Sequence, residues 1–172
     1  MKKFLFLILV VLCSCRQNGL ILKNASYEWY PDRIIQGEYV GVAETPYRIV
    51  SDLYGDTLVW ECRNDLSCMP ALETPFLLEK AVYNMALDES INAVEPDGTL
   101  RTGLSWGGVW TRDVSYSTIL SMAYIQPRAA MTSLLCKISR NGQIIQDTGT
   151  GGAWPCSTDR QIWTVAAWEL YK

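Results

Sequence analysis

The sequence contains no histidine. That absence excludes Ser-His-Asp and Cys-His catalysis and every zinc site built with imidazole. A basic excess is missing too: fifteen Lys and Arg stand against eighteen Asp and Glu, for a formal net charge of -3. There is therefore no strongly basic face for nucleic acid. No apolar run is long enough to span a bilayer, since Phe4 to Leu12 is interrupted after nine residues. Phenylalanine is scarce at three, whereas tryptophan reaches seven and tyrosine nine. Such a surplus of Trp points to aromatic surfaces or a Trp-lined cleft. The 49% hydrophobic and 19% charged content of the 172 residues can fill a core, which excludes disorder as the main description.

Lys2 and Lys3 ahead of the apolar run make a signal-peptide n-region. The run stops at Leu12-Cys13-Ser14-Cys15, which resembles a bacterial lipobox with Cys15 as the acylated residue. The resemblance implies removal of residues 1–14 and a lipid anchor to an envelope membrane, with no transmembrane helix. Cys62, Cys68, Cys136 and Cys156 would then lie in a disulfide-permissive compartment, with three pairings open. Neither a metal site nor a cofactor is expected from these spacings.

Residues 15–73 read as a β-rich region. From Ala25 to about Trp60, β-branched and aromatic residues are broken by turns at Pro31-Asp32, Gly37, Pro46 and Gly55-Asp56, giving four or so short strands of a small sandwich or a sheet. Residues 74–172 read as helical. Thr74-Pro75 has the chemistry of a helix start, with spaced apolar residues running to the turn Pro96-Asp97-Gly98. Further helices are predicted over roughly 114–124, from Pro127 to about Ile138, and from Ser157-Thr158 onward. The fold class expected is α+β.

Two long Gly-rich loops precede helices: Thr99 to Asp113, and Gln143 to Arg160. Loops that hold Trp, Arg and Asp together usually carry function. In helical hairpins both emerge at one end and can converge on a cleft. Sugar is the chemistry such a cleft favours. Trp106, Trp110 and Trp154 offer flat faces to a pyranose, while Arg112, Asp113, Asp147, Asp159 and Arg160 offer charge-assisted hydrogen bonds to hydroxyls. The competing explanation is structural, with Trp as core plugs and Asp in first turns favoured by the helix dipole.

GVWTRDVSYS at 108–117 and IIQDTGTGGAWPCSTDRQIWTVAAWELYK at the end resemble bacterial six-hairpin glycosidases. The likeness covers about Pro75 to Lys172 and implies an alpha/alpha toroid of twelve helices behind a β-rich domain. It implies a glycoside hydrolase acting on O-glycosyl bonds of an oligosaccharide or glycan. Trp110, Arg112 and Asp113 then bind sugar beside the scissile bond, and Asp147, Trp154, Asp159 and Arg160 form the opposite wall. Twelve helices need roughly 200 residues, about twice what 75–172 supplies. The expectation is thus the first hairpins of an incomplete toroid, with the acid and base on later ones and this chain inactive alone. Trp163 and Trp168 on the last helix would then be exposed. A non-catalytic glycan-binding lipoprotein shares every feature except the missing carboxylates. Ile144-Ile145-Gln146-Asp147-Thr148-Gly149-Thr150 also resembles an aspartic-protease loop, but the sequence runs on into a helix where that fold needs strands.

Overall fold

The computed structural model describes residues 19–146 and 158–172. The expectations for Cys15, Asp147, Trp154 and Cys156 lie outside the described residues. The architecture is α+β, a six-stranded antiparallel sheet followed by helices. It divides into two compact units: residues up to Arg63 with Ala71–Ala86, and Asn64–Pro70 with Leu87–Lys172.

The first unit is a meander in which each strand pairs with the next: β1 (Leu22–Lys23), β2 (Glu28–Trp29), β3 (Arg33–Gln36), β4 (Tyr39–Thr45), β5 (Arg48–Leu53) and β6 (Asp56–Glu61). Six strands replace the expected four because β1 and β2 are only two residues long, below what alternation can show. Local turn chemistry sets the register. The Asn24 carboxamide oxygen accepts the N–H groups of Ser26 and Tyr27 at 2.7 and 2.8 Å, turning β1 into β2. Tyr54 and Gly55 both have positive φ, 54° and 87°, the type I′ geometry that matches strand twist. Tyr54 is an unusual first residue for such a turn, and its ring packs edge-on against Tyr39, with centroids 5.2 Å apart. One sheet face is covered by the start of α1 (Leu77–Asn92), where Leu77, Leu78 and Ala81 pack against Trp29, Ala43 and Ile49. No second sheet is present among the described residues, so the sandwich alternative is not formed.

Helix α1 begins at Leu77, later than Thr74-Pro75 suggests. The Thr74 hydroxyl still accepts a backbone N–H, that of Phe76 at 3.2 Å, and donates to Glu79 at 2.7 Å. The Leu78 N–H goes to the Pro31 carbonyl at 2.8 Å, and Asn84 donates to the Pro46 carbonyl at 2.9 Å. Both bonds fasten this stretch to sheet turns.

The second unit contains α2 (Thr111–Ser117), which passes through a π-helical stretch, Thr118–Met122, into α3 (Ala123–Ile125). Helices α4 (Pro127–Cys136) and α5 (Asp159–Tyr171) follow. Pro127 opens α4, as its fixed φ and missing N–H favour. The widened turn was not predicted. It sits where Ser115, Ser117 and Ser121 hydroxyls donate back to helix carbonyls, a competition that distorts helices. Leu100, Val114, Ala129, Ala130, Leu134 and Ala166 form the core. Cys68 and Cys136 are free thiols, so no bridge joins Cys68 to Cys62. Among the described residues no helix is long and apolar enough to cross a membrane.

This unit contains a structural repeat. After α1, Val94 bridges Leu100 around Gly98 (φ 80°); after α4, Ile138 bridges Ile144 around Gly142 (φ 78°). Backbone bonds recur at the same offsets: Glu95 N–H to Thr99 and Arg101 N–H to Ala93 in the first hairpin, Ser139 N–H to Gln143 and Ile145 N–H to Lys137 in the second. Gly-Gly-Val-Trp at 107–110 then precedes Thr111-Arg112-Asp113, and Gly-Gly-Ala-Trp at 151–154 precedes Thr158-Asp159-Arg160 in sequence. A Cβ at Gly98 or Gly142 meets no atom within 4 Å. Gly98→Ala and Gly142→Ala are therefore expected to cost about 1–2 kcal/mol each, from positive φ alone, measurable by denaturant unfolding.

Candidate functional site

The cleft in the second unit is built by the first Gly-rich loop and the start of α2. Thr102, Trp106, Trp110, Arg112 and Asp113 line a depression of about 270 Å³. That is close to the lower end of the roughly 300–1,000 Å³ usual for small-molecule sites, and suits a single ring better than a large ligand. The Trp106 and Trp110 rings stand nearly perpendicular, 82° apart in plane with centroids at 6.2 Å. Trp106 is 62% exposed, so its indole is a wall and not a core plug.

The second repeat holds this loop and helix start in place. Lys137 donates from Nζ to the Val109 carbonyl at 2.7 Å. The Thr111 hydroxyl, wholly buried, donates to the Ile145 carbonyl at 2.7 Å. Arg112 Nη1 lies 3.3 Å from Asp159 Oδ1. In that pair the carboxylate is buried, at 1% side-chain exposure, while the guanidinium is 43% exposed. Asp159 sits in the first turn of α5, where the helix dipole favours an anion. The pair thus directs one end of Arg112 inward, while the side chain also lines the cleft.

The expected residues are brought together in part. Trp110, Arg112 and Asp113 line one cleft. Asp159 reaches it through Arg112 and does not line it, so its place is behind the binding surface. Arg160 is exposed and donates from Nε to the Ile144 carbonyl at 3.3 Å, an attachment to the second hairpin. Asp147 and Trp154 lie outside the described residues. Trp106 and Thr102 complete the wall. Trp106 carried a signal in the sequence, as one of the loop tryptophans, whereas Thr102 carried none.

Two other groups support the scaffold. In the first hairpin, Asp97 Oδ1 accepts the Thr99 hydroxyl at 2.7 Å and its N–H at 2.9 Å, and these bonds hold the Asp97 carboxyl below its usual pKa. Its contribution is present above the ordinary Asp range and is lost as pH falls through the lowered value. Buried Asp88 accepts both the N–H and the carboxamide of Asn64, at 3.1 and 2.7 Å, anchoring the 64–70 segment to the second half of α1.

No protein-family model, curated protein or solved structure matches the chain.

Removing the buried anchor should cost far more than removing the exposed acid beside it. Asp159→Ala is expected to lower unfolding free energy by about 2–3 kcal/mol, and Asp113→Ala by no more than about 0.5 kcal/mol. Urea denaturation of both variants, followed by far-ultraviolet circular dichroism, checks the contrast.

Proposed function

We propose that the cleft of Trp106, Trp110, Arg112 and Asp113 binds a sugar ring, and that the chain is part of an envelope-anchored glycoside hydrolase of the six-hairpin toroid kind. The observation that carries this is the pairing of two indole walls, that of Trp106 exposed and that of Trp110 half-buried, with a guanidinium braced from behind by a buried carboxylate. Indole faces suit the C–H side of a pyranose, and a guanidinium lining the cleft suits its hydroxyls. Asp147 and Trp154 complete the opposite wall in this proposal, whereas Arg160 serves the second hairpin, with Cys15 as the lipid-bearing residue at the envelope membrane.

The toroid proposal has further support in the structural repeat and in an uncovered apolar face. Leu120 and Tyr124 are 78% and 71% exposed, and Trp168 on α5 is 59% exposed. Trp163 differs from expectation: it is partly buried and packs on the unit's core, its Nε1 donating to the Leu134 carbonyl at 2.9 Å. Repeated helical units bury such faces against the next unit, which accounts for Leu120 and Trp168 but not for Trp163.

A second reading, glycan binding without hydrolysis, is favoured by the carboxyl groups. Hydrolysis takes two of them flanking the bond, and Asp113 is the one carboxylate among the described residues that line the cleft. In either reading the chain alone binds and does not turn over.

The test is an oligosaccharide array probed with the exported chain, followed by titration of the best ligand. Saturable binding is expected, with Arg112→Ala weakening it at least tenfold and no release of nitrophenol from aryl glycosides. An array without any ligand, or full affinity in Arg112→Ala, would overturn the sugar site.

A further inference from the structure

A second concave site lies in the first unit, formed by β2, β3 and the first part of α1. It is an open groove of about 520 Å³, and its walls are mostly apolar, among them Tyr27, Trp29, Leu78, Val82 and Tyr83. Among the described lining residues one is charged, Glu79. Its hydrogen bond comes from the neutral Thr74 hydroxyl. Among the described residues no Lys or Arg forms an ion pair with it. The described part of this unit also carries a net negative charge, with nine Asp and Glu against five Lys and Arg. An acidic field over an apolar, aromatic hollow raises the local concentration of cations.

The aromatic wall suits the same ligand class. Three electron-rich rings, one Trp and two Tyr, attract an organic cation through their quadrupoles while burying its hydrocarbon. Trp29 takes part through its ring only: its Nε1 is sealed from solvent and has no acceptor, so a ligand in the hollow does not reach it.

We propose that this hollow binds a small organic ammonium ion with an apolar body, the ammonium beside Glu79 and the body against Tyr27, Trp29 and Tyr83. This site is independent of the sugar cleft and does not rest on it.

The test uses the full chain and a pair of probes matched in size, phenethylammonium and 3-phenylpropanoate, titrated at neutral pH by calorimetry. Saturable binding of the cation is expected, with the anion at least tenfold weaker. Glu79→Gln keeps an acceptor for Thr74 and is expected to weaken the cation about tenfold, reducing the preference for it. Ala86→Trp, at an exposed position on the wall, is expected to block both probes while leaving the melting temperature within a few degrees. The proposal fails if the cation does not saturate, if the anion binds equally well, or if Glu79→Gln binds the cation as tightly as the unaltered chain. The probe preference of the unaltered chain decides the matter should either variant fold poorly.

Discussion

The buried carboxylate of Asp159 is the constraint on which the second unit's site depends. A carboxylate at 1% exposure is costly unless charge and hydrogen bonds answer it. Arg112 supplies a cation from a different helix, and the first turn of α5 supplies a favourable dipole. Satisfying the acid therefore fixes where α2 starts relative to α5, and with it the loop that carries Trp106 and Trp110. Lys137 and Thr111 act on the same stretch through the Val109 and Ile145 carbonyls. Three bonds from the second repeat converge on a helix start that has no side-chain cap of its own. The cleft is consequently a property of two repeats held together.

The order of charges in the two helix starts explains why they meet. The first reads Thr111-Arg112-Asp113 and the second Thr158-Asp159-Arg160, so the positions after Thr carry opposite charges. Arg112 and Asp159 face each other, which leaves Asp113 exposed to line the cleft and Arg160 exposed to reach the Ile144 carbonyl. One residue type thus acquires two roles through burial: Asp159 braces, and Asp113 is free to contact a ligand.

Much of the fold was legible because its signals are local. Gly37 and Gly55 mark turns that need positive φ, and Pro127 marks a helix start. The two-residue strands β1 and β2 were not separable, because neither is long enough to alternate. The π-helical widening at Thr118–Met122 arises from hydroxyls competing for helix carbonyls, which periodicity does not encode. In the cleft, Trp110, Arg112 and Asp113 could be grouped from a single segment. The bracing role of Asp159 and the outward attachment of Arg160 depend on contacts across the unit, which spacing does not show. The repeat was present in the sequence as Val94 to Leu100 and Ile138 to Ile144. It was hidden by Pro155-Cys156-Ser157, which separates Trp154 from Thr158 where Trp110 meets Thr111 directly.

The central claim is that a sugar ring sits against Trp106 and Trp110. Nitrogen-15 spectra of the indole N–H groups, recorded while oligosaccharide is added, test it most directly. The account predicts saturable shifts of the Trp106 and Trp110 resonances, assigned by single Trp→Phe variants, with those of Trp29 and Trp163 unmoved. Saturable binding that shifts other indoles and leaves these two in place would contradict it.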